Sequence, residues 1–297
     1  MEDTLDNSRN NSSGRDASEL YGLLNIEKDV DGRYFSAAHD DGQRPVIEGS
    51  QLLAQTLVAA AQHAPGRRAV SATMVFARVA TTTEPFEIEL NEVANGRTFT
   101  VLNPRIVQLG RTCAVGTVLL DVMAPDTIRH AAAPPDVGGP EQATPIDLGL
   151  GGREVRVVDN AYSLDSAAPI GPAQLDVWVR FREPPVDQPI HVALATHLTG
   201  FLSLATSLRP HHGIGLDKAH RTITTGVNAI SLAIHAEIHA DQWMLYHHRS
   251  TFAGDGMTHS ECRIYDDVGH LLASFTVESM LRAMTTDGVP SNPRTAL

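Results

Sequence analysis

The sequence predicts an α+β protein built of two tandem repeats, each a long helix wrapped by an antiparallel sheet. Three observations carry this reading. A helix-spaced apolar run followed by strand candidates occurs twice. The strands are separated by short Gly-containing turns with no room for a crossover helix, so they pair antiparallel and a dinucleotide-binding fold is disfavoured. A Gly/Pro-rich stretch from Ala124 to Pro172 divides the chain, and such punctuation reads as a linker between two domains.

In order along the chain, residues 1–17 read as a disordered leader, since they hold too little apolar surface to offset ordering entropy. The N-terminal domain, 18–123, contains the helix Ser50–His63, with apolar residues at 52, 53, 57, 60 and 61, Ser50 as cap and Pro65-Gly66 as stop. Strands follow at Ala69–Val79, Phe86–Val93, Thr98–Gln108 and Thr112–Val122, with Asn95-Gly96 and Leu109-Gly110-Arg111 as turns. Within the linker, 124–172, only Glu154–Val158 is expected to form a strand, and an isolated one. The C-terminal domain, 173–285, opens with the strand Leu175–Arg182. The helix Ile190–Leu208 comes next and stops at Arg209-Pro210. Strands near Thr222–Ile234, Trp243–Thr251, Thr258–Tyr265 and His270–Arg282 complete it, and 286–297 is a tail.

Composition narrows the function classes. The 297 residues are 42% apolar and 20% charged, an ordinary globular balance, with a net charge of -12. That field repels phosphate backbones and anionic lipid, which argues against nucleic-acid and membrane partners. Two cysteines rule out a disulfide scaffold and suggest a reducing compartment. No apolar run reaches the ~20 residues needed to cross a bilayer. The acidic N-terminus has no signal-peptide core, so a cytoplasmic location is expected. Fourteen histidines invite a metal, yet no Cys or carboxylate set completes a tetrahedral site, and none is expected.

Gly49-Ser50-Gln51-Leu52-Leu53-Ala54-Gln55-Thr56-Leu57 resembles the first-helix motif of the acyl-CoA thioesterase II family, whose members have a double hot-dog fold. Further matches in register are Phe76, Arg78, Gln108-x-Gly110, Trp178-Val179-Arg180, Pro210-His211-His212-Gly213-Ile214-Gly215 and Trp243 to Tyr246. Gly269 to Ser274 and Glu278 to Arg282 continue them, so that the likeness spans roughly 46–122 and 176–282.

The resemblance implies hydrolysis of a fatty acyl-CoA to free acid and coenzyme A, with no cofactor beyond the coenzyme A of the substrate, and assembly into a homo-oligomer. In the family an Asp, a Thr or Ser, and a Gln position the attacking water. Those positions fall here at or next to His197, at or near Val227, and at Val277. Two valines cannot orient water, so the site is expected to be rearranged. His197 is the candidate general base, with activity lost as it protonates below about pH 6.5. Glu48, before the first helix, is a second candidate base or simply an end-of-helix charge. Gly49 either admits a thioester oxygen close to the backbone or serves a sharp turn. Arg78, Arg97, Arg105 and Arg111 are available for coenzyme A phosphates. A non-hydrolysing acyl-CoA or acyl-carrier binding protein on the same fold is the alternative, favoured by the two valines. A hot-dog dehydratase finds no Asp/His motif in the chain.

Overall fold

A computed structural model describes residues 17–38, 45–148 and 151–284. The expected leader, except Ala17, and the tail 286–297 lie outside the described residues. The first half runs α1 (Ala17–Leu24), β1 (Glu27–Lys28), β2 (Tyr34–Ser36), α2 (Gly49–His63), β3 (Arg68–Phe76), β4 (Phe86–Asn95), β5 (Phe99–Gln108) and β6 (Arg111–Asp121). Then come β7 (Thr144–Ile146), β8 (Arg153–Val157), β9 (Gln174–Phe181), α3 (Gln188–His197), α4 (Phe201–Leu208), β10 (Ile223–Ile234), β11 (Met244–Gly254), β12 (Met257–Asp266) and β13 (Leu271–Ala283).

All the strands join one sheet, ordered β1-β2-β4-β5-β6-β3-β10-β13-β12-β11-β9-β8-β7, and every paired neighbour is antiparallel. The duplication is explicit in that order. The segment β2-β4-β5-β6-β3 of the first half repeats as β9-β11-β12-β13-β10 in the second, and the two meet edge to edge where β3 pairs with β10. Each edge strand thereby finds a partner for its free N–H and C=O groups. Turn chemistry agrees with the sequence. Leu109 and Gly110, and likewise Asp255 and Gly256, both have positive φ, as a two-residue hairpin turn matching strand twist requires.

The helix α2 is buried nearly all round from Ser50 to Ala60, because the sheet covers one side and the second-half helix packs on the other. Its mostly small and apolar composition follows from having little solvent face. Gly116 illustrates how tightly the sheet closes: a Cβ on it would stand 2.3 Å from the Thr73 carbonyl oxygen on the neighbouring strand.

Three expectations need correction. The helix predicted as continuous over Ile190–Leu208 breaks at 198–200 into α3 and α4. The Thr199 N–H and hydroxyl both donate to the Thr196 carbonyl, closing a turn at the end of α3, and Gly200 tolerates the interruption. The linker is also more structured than predicted. Val155 and Val157 face inward, so β8 pairs with β9 instead of standing isolated, and β7 pairs with β8. Upstream of them, the Trp178 indole N–H donates to the Gly138 carbonyl and the Tyr265 hydroxyl to that of Ala133. Those bonds hold the 133–143 stretch across the second half of the sheet. Finally, the span Gln188–Leu208 is long and apolar enough to cross a membrane by composition, yet 72% of its most apolar window is buried inside the fold. Its hydrophobicity is spent on α2 and the sheet.

Candidate active site

The break between α3 and α4 creates a second helix start beside the first. α2 begins at Gly49 and α4 at Phe201, and neither start has a side-chain cap. The Glu48 carbonyl accepts from the Gln51 and Leu52 N–H groups, while the Gly49 and Ser50 N–H groups have no acceptor within the helix. The two starts touch: a Cβ on Gly200 would lie 3.7 Å from the Ser50 side chain and 3.2 Å from Val227 Cγ2. Two partial positive charges therefore converge on one place, a suitable setting for a developing anion.

A cavity of about 300 Å³ opens there. Glu48, Gly49 and Leu52 form its wall on the α2 side, and Gly200, Phe201 and Leu204 its wall on the α4 side. Phe76 and Arg78 close it from the end of β3, and Thr225, Gly226, Val227 and Ser279 form its floor on β10 and β13. The remaining wall comes from the segment predicted as linker, through Tyr162 and Leu164, and from His220. Burial pushes the Tyr162 phenol up to about 12, so it stays protonated and can only offer its hydroxyl. His220 has φ +59, a left-handed conformation uncommon outside glycine.

The structure brings together three of the residues singled out from sequence: Glu48, Gly49 and Val227 share this cavity. It separates the other two. Val277 is 1% exposed, opposite Ile230 and Ser260 in the sheet, and is not on the cavity wall. His197, at the last turn of α3, is not on the wall either, and its Nδ1 is buried without a hydrogen-bond partner. Burial, aided by the positive charge of Arg153, pushes its imidazole down to about 3. A ring that weakly basic has little drive to take a proton from water, and the activity loss expected from its protonation near pH 6.5 has no basis. The residue of this segment that does face Val227 is Gly200, three residues on, in the turn between α3 and α4. The turn at 198–200 breaks the helical spacing between the two residues, so they face different ways.

Gly49 has a packing explanation of its own: a Cβ there would stand 2.7 Å from the Phe76 ring. Arg105 is occupied by Glu89, at 2.6 Å from Nε. Of the four arginines considered for phosphates, Arg78 is the one on the cavity wall. Glu278, next to Val277, points away and meets His259 Nδ1 at 3.2 Å. Among the described residues there is no group of three or more His, Cys, Asp or Glu able to hold a metal.

Sequence reasoning missed Thr225 and Ser279. Thr225 is 7% exposed and Ser279 1%, and the Ser279 hydroxyl is buried with no hydrogen-bond partner. Such a group costs about 1–3 kcal/mol unless something in the cavity meets it. The signal was available as period two, since each lies two residues from a valine already under scrutiny.

A duplicated helix-in-sheet architecture with its cavity at the seam defines the double hot-dog class. Comparison with known proteins agrees. The acyl-CoA thioesterase N-terminal domain family matches residues 39–120, and the acyl-CoA thioesterase C-terminal domain family matches 125–281. The chain belongs to the acyl-CoA thioesterase II family, whose members are thioester hydrolases. It is 25% identical over 287 residues to acyl-CoA thioesterase 2 of Haemophilus influenzae, covering 89% of this chain and 97% of that protein. It is 25% identical over 288 residues to human acyl-coenzyme A thioesterase 8, covering 88% of each. Among solved structures, the acyl-CoA thioesterase II TesB2 of Mycobacterium marinum superposes with a TM-score of 0.75 at 21% identity, covering 90% of this chain and 99% of its own. A hot-dog protein of unknown function from Alicyclobacillus acidocaldarius gives 0.72 at 18% identity, with coverage of 90% and 99%. At those identities the structural likeness speaks for the fold.

Proposed function

We propose that this chain hydrolyses a fatty acyl-CoA to the free acid and coenzyme A by water attack in the cavity between the starts of α2 and α4. The observation that carries this reading is the convergence there of two uncapped helix starts and a carboxylate. The thioester carbonyl would sit against the Gly49 and Ser50 N–H groups. As water adds, charge grows on the carbonyl oxygen, and fixed N–H donors that need no reorganisation stabilise it. Glu48 would take the water's proton. Collapse of the tetrahedral intermediate breaks the C–S bond and releases the coenzyme A thiolate, which picks up a proton from solvent. His197 and Val277 have no part in this scheme, and Val227 contributes apolar wall.

The test is release of coenzyme A from a panel of acyl-CoA thioesters of increasing chain length. Release well above the uncatalysed rate supports hydrolysis. The second reading, a binding protein without turnover, rests on Val227 and Val277 standing where the resemblance implies a hydroxyl and an amide. Tight acyl-CoA binding with no thiol release would establish it.

We further infer that Arg78 meets the coenzyme A phosphates at the cavity mouth. A charge-assisted contact of this kind acts in ground and transition states alike. Arg78→Ala is expected to raise KM on the order of tenfold with kcat little changed, as steady-state kinetics would read. A fall in kcat with KM constant would remove Arg78 from this role. The division into repeats at 18–123 and 173–285, a cytoplasmic location, the lack of any cofactor beyond the substrate's coenzyme A, and self-association complete the proposal. Light scattering tests the last: a 32.0 kDa particle at all micromolar concentrations would contradict it.

A further inference from the structure

We propose that Thr225 and Ser279 together hold the attacking water, forming a polar pair displaced by one side-chain repeat along the sheet from Val227 and Val277. The proposal rests on the hydrolytic reading above. In the ladder between β10 and β13, Val227 faces Ser279 and Thr225 faces Leu281. Register is regular over that stretch, so Thr225, Val227 and Ser279 all lie on one face of the sheet, and all three line the cavity.

Because β10 and β13 run antiparallel, two residues back on one strand and two forward on the other are the same physical direction. Moving from Val227 to Thr225 and from Val277 to Ser279 therefore translates a pair of side chains together. The new pair is a diagonal pair across the ladder, with Cα atoms roughly 7–8 Å apart and side chains closer. A single water accepting from one hydroxyl and donating to the other spans such a gap, given O···O distances near 2.8 Å.

Two observations point to an occupant. The Ser279 Oγ is buried and unpartnered, although serine hydroxyls in interiors nearly always find a partner. Thr225, 7% exposed, presents its hydroxyl on the same cavity-lining face. By contrast, the hydroxyls of Thr56, Thr196, Ser203 and Thr206 each donate to a backbone carbonyl four residues back. Valine at 227 and glycine at 200 offer the water no side-chain hydrogen bond, which leaves the two hydroxyls as its partners on the cavity floor, in the cavity that Glu48 also lines.

In the step this geometry serves, a water lone pair forms the new C–O bond to the thioester carbon, and the water's proton passes to the Glu48 carboxylate. The carbonyl electron pair moves onto oxygen, then returns as the C–S bond breaks. Thr225 and Ser279 exchange no proton and stay unchanged, acting by orientation.

The experiment compares Thr225→Val, Ser279→Ala and the double variant with wild type, using dodecanoyl-CoA for turnover and its thioether analogue, S-dodecyl-CoA, for binding. Each single variant is expected to lose roughly tenfold or more in kcat and the double variant about 10²-fold or more, with KM and thioether affinity within about threefold. Ser279→Ala should melt close to the wild-type temperature, since its hydroxyl bonds no protein group, whereas a hydroxyl with a structural role would lower the melt. Ser279→Thr and Thr225→Ser, which keep the hydroxyls and the fold, should retain most of the turnover. A folded double variant with wild-type kcat overturns the proposal while leaving hydrolysis intact. Loss of kcat in the two hydroxyl-preserving variants equal to that in Ser279→Ala and Thr225→Val also overturns it. If wild type binds the thioether and releases no thiol from dodecanoyl-CoA or any other thioester, hydrolysis fails and this proposal with it.

Discussion

Glu48→Gln is expected to lower kcat by roughly 10²- to 10⁴-fold, the usual worth of a positioned general base, with KM for the acyl-CoA close to wild type. The substitution keeps the shape of the side chain and removes its proton affinity. Glu48 occupies the cap position of α2 without capping it, so no hydrogen bond to the helix start is lost. A negative charge near a helix start is favourable by typically 0.3–1 kcal/mol, and the substitution gives up that contribution. The companion measurement is His197→Gln. From sequence this residue was the leading base; from its place off the cavity wall it should retain most of the activity. Wild-type turnover in Glu48→Gln with collapse in His197→Gln would reverse the assignment made above.

The second large effect is on acid stability. Burial holds both His197 and His248 down to about 3. The His248 ring is 0% exposed, stacked at 6.2 Å on Tyr246 and edge-on at 5.7 Å to Phe275, and neither of its nitrogens has a partner. Unfolded imidazoles charge near pH 6.5. Between those values the unfolded chain binds up to two protons that the folded chain refuses, so stability falls as pH falls through this window. Each histidine accounts for about 2 kcal/mol of loss between pH 7.5 and pH 5, and the pair for about 4 kcal/mol, against a typical total of 5–15. Urea unfolding across that range should show the decline. His248→Phe, which fills the same apolar slot without a titrating group, should roughly halve it. Stability unchanged from pH 7.5 to pH 5 would mean that the two rings find partners or water in the folded state.

Much of the fold was legible in the sequence because its signals are local. Strand alternation, Asn-Gly and Asp-Gly turns, and an apolar run ending at Pro65-Gly66 are read within a dozen residues. Most of the resulting strand bounds fall within about two residues of those observed. The short pieces escaped for the converse reason. β2 is three residues long and has no period of its own; it exists because Tyr34 to Ser36 finds an edge in β4. The strand β8 looked isolated because its partner β9 lies beyond a Gly/Pro-rich stretch.

The amino-acid pattern alone was enough for the duplicated α+β plan, the first central helix and the family, because those rest on local periodicity and motif. Which residues share the cavity became visible only in the folded chain. His197 and Gly200 are three apart on one segment, yet the turn at Leu198–Gly200 turns one inward toward Val227 and leaves the other behind. Thr225 and Ser279 are more than fifty residues apart, and only the β10–β13 register sets them on the same face. A site made by pairing strands across a sheet is a property of register, and register is fixed by the packed core as a whole, because a slip of one residue would turn every side chain of the strand to the opposite face.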